Sequence, residues 1–435
     1  MAELPLSGVR VLDMTVVWAG PYSTMLLADW GAEVIRIEST QYPPPSTRMP
    51  AHPSAAQVSV GKENKLWNMA YPDWDPGPRA WNTQPTFNAH SRNKLSMTAD
   101  IRNPEGWEIF CEMLKISDVF IENNVPETME KWGITYENLS KINPNLVYIR
   151  MPAYGWSGSF KDYRALGLHV DAVVGHLWTR SYTDTDMSER GDIVLADAMA
   201  GITASFLIVN GLRYRRKTGK GQLIELSLAE GFIPFMSDAV MDYTMNERIQ
   251  ESNGNRHTSM APHGCYPCSG DDMWINITVS SDEQWKALCI LMGRMDLATD
   301  ERFADTLSRW HNQDELDEIM IAWTKDQDHW ELAKLLQEQG ITAGPVLNSR
   351  ELLNDPQLRA RDYYHSLTHA ESGTYDYNGP LWKMSKTPNR LRLPPCRLGE
   401  HNEYVYKELL GISDERYKQL EEAGHIGMDF IDSVP

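Results

Sequence analysis

Cysteine is scarce: five in 435 residues cannot staple a chain this long. A reducing cytoplasm is the expected location. Positive charge is short as well, with 41 Lys and Arg against 60 Asp and Glu and a formal net charge of −19. A duplex-binding protein needs a basic face that releases counterions, and docking on an anionic membrane needs a similar patch, so neither partner is expected. Long apolar runs are missing too. The stretch Ile193 to Leu212 is broken by Asp197 and Asn210, with Asp192 beside it, and a lipid-facing helix rarely carries such residues. The opening MAELPLSGVRVLD holds an acidic residue and no apolar run, and reads as no signal peptide.

Several chemical signatures are absent. The turn Val17-Trp18-Ala19-Gly20-Pro21 lacks the Gly-x-Gly-x-x-Gly pattern, so nicotinamide binding is not expected even though Glu38 ends the next strand. Thr218-Gly219-Lys220-Gly221 lacks the rest of a P-loop, and no Gly-x-Ser-x-Gly elbow occurs. Cys265-Tyr266-Pro267-Cys268 is a lone C-x-x-C without a second pair, which suits a structural role, and no metal is expected. The densest cationic run, Arg213, Arg215, Arg216, Lys217 and Lys220, fits the end of a helix as well as it fits an anionic ligand.

What is present is a globular composition, 42% hydrophobic and 23% charged, at a length that predicts about two domains. Residues 8 to 38 read as strand, helix, strand: Val9 to Asp13, a helix from Tyr22 to Trp30 opened by Pro21 and stopped by Gly31, then Ala32 to Glu38. Residues 40 to 90 are rich in Pro, Trp, Asn and Ser and read as a long irregular segment. Alternation returns with a strand from Leu95 to Ile101, a helix from Pro104, a strand from Asp118 to Glu122 and another from Leu146 to Arg150. This is the pattern of a doubly wound α/β sheet. A long helix over 196–217 leads to a strand from Gln222 to Leu228, and from about 230 to 340 the texture becomes a smaller α+β domain.

One carboxylate stands out. Asp197 lies in Val194-Leu195-Ala196-Asp197-Ala198-Met199-Ala200-Gly201, otherwise small and apolar. An acid there is desolvated, paired or capping. As an N-cap it would be ordinary. As a carboxylate kept anionic by the helix start, with small neighbours that admit a substrate, it would be a nucleophile.

The ordered set Gly8 to Asp13, Ala19-Gly20-Pro21, Leu27 to Glu38, Arg92-Asn93-Lys94, Asn103-Pro104-Glu105-Gly106, Tyr154-Gly155, Thr218 to Gln222, Gly340 to Val346 and Leu398-Gly399-Glu400-His401 resembles class III CoA-transferases over essentially the whole chain. That family includes formyl-CoA and carnitine CoA-transferases and the α-methylacyl-CoA racemases. The resemblance implies a Rossmann-like large domain built from both chain ends (residues 1–225 and 341–435), a small α+β domain (226–340) and an interlaced homodimer. It implies an acyl-CoA donor, a carboxylic acid acceptor and coenzyme A as the group moved, with no metal. It places the nucleophile at Asp197, ahead of Asp192 and Asp171, because Asp197 precedes the helix that ends in Thr218-Gly219-Lys220-Gly221-Gln222. It assigns CoA contacts to Val17, Trp18, Ala19, Arg92, Asn123, Asn124 and Lys131, with Trp132 against the base. Backbone N–H groups near Val17 to Ala19 and a loop through Gly254 to Gly264 would meet the oxyanion.

Two other readings stay open. The racemase branch moves an α-proton with a His and an Asp, and Gly167-Leu168-His169-Val170-Asp171 is similar to its histidine turn but out of register. A CoA-binding protein without turnover is the plainest alternative.

Overall fold

The structure, a computed structural model, describes residues 3–43, 47–189, 191 and 194–434. Asp192, weighed above, lies outside the described residues. The chain forms two compact units: Met1–Val174 with Asp192–Asp238 and Arg359–Pro435, and Gly175–Gly191 with Ala239–Leu358.

The first unit is built on a parallel sheet of β1 (Arg10–Met14), β2 (Glu33–Glu38), β3 (Leu95–Thr98), β4 (Val119–Glu122), β5 (Val147–Arg150) and β6 (Gln222–Glu225), in the order 3-2-1-4-5-6. Alternate side chains enter opposite faces. Val11, Val119, Ile121, Val147 and Ile149 join one core, while Leu12, Phe120 and Tyr148 join the other. Burial on both faces explains why these strands read as apolar runs. The order reverses between β1 and β4, and a crevice opens past their C-terminal ends, where such sheets bind ligands.

Helices α1 (Ala19–Asp29), α2 (Pro104–Lys115), α3 (Pro126–Lys131), α4 (Gly167–Val173), α5 (Leu195–Thr218) and α6 (Leu228–Phe232) surround the sheet. By length and composition α5 could cross a bilayer. Its Ala196, Ala200, Ala204 and Ile208 are buried in the first core. A Cβ on Gly201 would lie 2.8 Å from the Ala19 carbonyl, so α5 and α1 meet almost backbone to backbone. At its other end Arg215 bonds Asp118 at 2.6 Å, and Gly219 closes the helix at φ 73°. The basic run thus ends a helix.

Residues 40 to 90 are more regular than expected. Ser54 and Gln57 form a capping box that starts a helix at Ala55–Glu63, and short helices follow at Ala80–Thr83 and Pro85–Ala89.

The second unit holds an antiparallel sheet of β7 (His263–Pro267), β8 (Trp274–Thr278) and β9 (Thr342–Val346), packed by helices that bury Trp285, Leu316, Met320 and Leu336. The unit boundaries differ from the expected 225/226 and 340/341. After β6, Leu226, Leu228, Ala229 and Phe232 stay in the first core. Ile275 of β8 pairs with Pro345 of β9, so the second unit cannot end at 340. Residues 175–191 join it through Trp178 Nε1 to the Gln250 carbonyl and Ser181 N to Ser252 Oγ.

Candidate active site

Helix α5 starts after Val194, which holds φ 47°, and Asp197 is its third residue, not its N-cap. The capping work falls to Asp171 of α4. Its two carboxylate oxygens accept the N–H groups of Leu195 and Ala196 at 3.1 and 3.3 Å. Asp197 itself is only 6% exposed. Partial positive charge at the helix start favours its anion.

Gly167 leaves the room for that carboxylate. A Cβ built there would sit 1.9 Å from Asp197 Oδ2 and 2.2 Å from Val194 Cγ1. Gly167→Ala must therefore displace the carboxylate or the start of α5. Steady-state kinetics should show kcat/KM down by about 100-fold, the usual cost of an ångström of misplacement. An unchanged rate would separate the carboxylate from the chemistry. Backbone strain gathers here too: Val17 in the turn after β1 has φ 62°, and both it and Val194 are β-branched residues in the left-handed region.

Asp197 lines two cavities, of about 490 and about 860 Å³, which share Val17, Leu166 and Gly167. The smaller runs over the C-terminal ends of β1, β2 and β4 and includes Asn123, Asn124, Trp132, Arg102 and Arg164. The larger includes Trp18, Met49, His90, Leu168 and His169.

A buried charge network shapes the crevice. Asp13 is fully buried, which would raise its pKa, but Arg36 and Lys94 with the hydroxyls of Thr15 and Thr24 hold it below the usual carboxylate range. Arg36 donates to Asp13 at 3.2 Å and to the Thr15 carbonyl at 3.0 Å. Lys94 bonds the Pro21 carbonyl at 2.7 Å, and burial draws its pKa down to about 8. The turn after β1 is thus pinned from below. From the side, Asn123 accepts from Val16 N at 2.7 Å and donates to Val16 O at 2.9 Å, while Asn124 donates to Met14 O at 3.3 Å.

Glu122 accepts the Asn124 N–H at 2.7 Å, and burial pushes its pKa from 4.5 up to about 7. The folded state therefore keeps this proton where the unfolded chain releases it. Glu122 costs nothing below pH 4.5 and destabilises progressively as pH rises to about 7, by about 3 kcal/mol in all. Glu122→Gln should remove that slope, leaving the variant more stable than wild type at pH 8 in urea unfolding. Parallel stability curves would refute it.

The structure gathers some of the expected ligand residues and disperses others. Val17, Asn123 and Asn124 line the smaller cavity, and Trp18 the larger. Ala19 is fully buried at the start of α1. Arg92 is turned away: it grips Asp29 at 2.7 and 3.2 Å and is 2% exposed, so its charge is neutralised inside the fold. Lys131 is exposed at the end of α3, next to Trp132, which does line the cavity. Arg150 pairs with Glu225 at 2.7 Å and lies over Trp156. Arg102, Arg164, Gly167 and His90 line the cavities without a sequence signal for it, save Gly167, whose turn to Asp171 reads as a histidine turn. Asp171, a rival nucleophile in the sequence, caps α5 instead.

A sequence profile of CoA-transferase family III matches residues 6–402. Succinyl-CoA–D-citramalate CoA-transferase of Chloroflexus aurantiacus is 30% identical over 417 residues, covering 96% of this chain and 97% of that one. Human succinyl-CoA:glutarate CoA-transferase is 27% identical over 421 residues, covering 97% and 89%. The crystal structure of a CAIB/BAIF family protein from Brucella suis superposes with a TM-score of 0.80 at 27% identity, covering 94% of this chain and all of that one. The chain belongs to CoA-transferase family III and is a class III CoA-transferase.

Proposed function

We propose that the chain moves CoA from an acyl-CoA to a carboxylic acid through covalent intermediates on Asp197. One observation carries this reading: a single buried carboxylate forms part of the wall of two adjoining cavities. In the first step a carboxylate oxygen of Asp197 attacks the thioester carbonyl, the C–S bond breaks, and CoA thiolate leaves an acyl anhydride. The thiolate then attacks the Asp197 carbonyl, the donor acid departs, and an aspartyl-CoA thioester remains. The acceptor carboxylate attacks that carbonyl and releases thiolate, which attacks the acceptor's own carbonyl and regenerates Asp197. Bonds of similar energy are exchanged, so the cycle needs no ATP, metal or nicotinamide.

The developing oxyanions need fixed donors. Val16 and Val17 have given their N–H groups to Asn123 and Thr47. The N–H of Trp18, which lines the larger cavity at the start of α1, is the better candidate. The smaller cavity, with Asn124, Trp132, Arg102 and Arg164, suits the CoA arm, and Arg164 is exposed at it. A homodimer is proposed as the assembly, supported by exposed Phe206 on α5 and Phe235 after α6. A cytoplasmic site is proposed on the five free cysteines.

His169 lines the larger cavity with Asp197, which keeps α-proton transfer as a second reading. Its Nδ1 accepts the Leu166 N–H at 3.2 Å, so the hydrogen-bond network puts the ring proton on Nε2. Incubation with succinyl-CoA or acetyl-CoA and a panel of acids separates the two. Ping-pong appearance of the acceptor's CoA thioester supports transfer. Exchange of an acyl α-hydrogen with deuterated water, without an acceptor, supports the isomerase.

A further inference from the structure

The two cavities that meet at Asp197 differ in the cations that line them. The smaller has Arg164 exposed in its wall, and Arg36 and Arg102 beside it are paired with Asp13 and Asp100. Among the described residues, no lysine and no arginine lines the larger.

The larger cavity keeps polar donors, Trp18 Nε1 and His169 Nε2, but both are uncharged, and its other polar side chains are partly engaged elsewhere. Gln84 Oε1 accepts the N–H groups of Thr86 and Phe87, and its Nε2 donates to the Asn68 carbonyl. His90 Nδ1 donates to the Thr86 carbonyl at 3.1 Å, which leaves Nε2 a lone-pair acceptor. Burial, opposed by that hydrogen bond, draws His90 down to about 4, so it adds no positive charge at neutral pH. Around it the rings of Trp18 and Tyr22 stand 5.5 and 5.9 Å from His90, an aromatic corner. Met49, Pro50, Leu166 and Leu168 complete an apolar wall.

An acid that attacks at Asp197 spends its own carboxylate on the reaction. A second carboxylate at the far end of the molecule would enter this wall without a cation to meet it, and an unpaired buried charge is strongly disfavoured. An uncharged ring or alkyl chain would bury apolar surface against the same wall. Resting on the reading that Asp197 exchanges CoA between two acids, we propose that this chain's acid substrate is a monocarboxylic acid with an uncharged aromatic or alkyl tail, held in the Trp18–His90 cavity. The two CoA-transferases described above are named for dicarboxylic acids, so on this proposal the chain differs from them in the charge of its acid.

The test uses the purified full-length chain, with acetyl-CoA and succinyl-CoA as donors and benzoate, phenylacetate, hexanoate, succinate and glutarate as acceptors. Binding of the same free acids is followed in parallel by calorimetry. The expected result is a preference in kcat/KM of about 100-fold for the uncharged-tail acids, about 2.7 kcal/mol at 1.36 kcal/mol per tenfold. Equal or better use of succinate or glutarate overturns the proposal and leaves CoA transfer standing. If no acid receives CoA, the transfer reading fails on its own, and calorimetry still decides: tighter binding of phenylacetate than of glutarate supports the cavity's assignment, and the reverse removes it. His90→Arg, which places a cation in the wall, should shift the glutarate-to-phenylacetate ratio toward glutarate by at least about tenfold. An unmoved ratio in a folded variant removes the cavity from acid selection.

Discussion

Asp197→Ala is expected to lower CoA transfer by at least about 10⁴-fold while leaving the fold intact. The size follows from the role. A residue that forms the covalent intermediate has no substitute in its site, and nucleophile knock-outs lose most of the catalytic power at once. The intact fold follows from the structure. Capping of α5 belongs to Asp171, which bonds Leu195 N and Ala196 N whatever stands at 197. The helix is further held by Ala200, Ala204 and Ile208 in the core. Melting followed by circular dichroism should therefore move by only a few degrees, whereas the coupled transfer assay falls to background. A variant that melts far lower would mean that Asp197 holds the fold.

The second large effect is on stability. Arg48→Met should cost about 3–5 kcal/mol, the usual loss when one partner of a buried ion pair is removed. Arg48 is fully buried and donates to Glu38 at 2.7 and 3.0 Å, to the carbonyls of Cys396 and Trp81, and to Asn82 Oδ1. Its guanidinium also lies 3.5 Å from the centroid of Phe87. One side chain thereby ties the end of β2 to the 80–90 segment and to the C-terminal stretch. Without it, Glu38 keeps Ser96 Oγ at 2.7 Å and only a distant Arg36 at 3.9 Å. Glu38→Gln added to Arg48→Met should recover part of the loss, because the stranded charge goes with it. A shift in urea midpoint below that of an ordinary surface substitution would show the pair to be dispensable.

The strand–helix alternation was legible because strands buried on both faces are apolar runs that stand out between helices. Asp197 was legible because an acid among small apolar residues has few explanations. Its neighbours were harder. Arg36, Arg48, Arg92 and Lys94 look alike in a sequence, as cations free for an anionic ligand, yet all four are at most 2% exposed and each is paired inside the fold. Which cation meets solvent is decided by contacts between distant segments, such as Arg92 with Asp29 and Arg48 with Cys396. Asp171 was weighed as a rival nucleophile because its link to Leu195 exists only once α4 lies across the start of α5. The domain boundary at 340 failed for the same reason, since a strand's partner cannot be seen in the strand itself.

Covalent capture tests the central claim most directly. The full-length chain is turned over with succinyl-CoA or acetyl-CoA, quenched into hydroxylamine, digested and mapped by mass spectrometry. An anhydride or thioester on an aspartate is trapped as its hydroxamate, and the account predicts that hydroxamate at Asp197, dependent on the acyl-CoA. A hydroxamate on another residue, or continued transfer of CoA by Asp197→Ala, would contradict it.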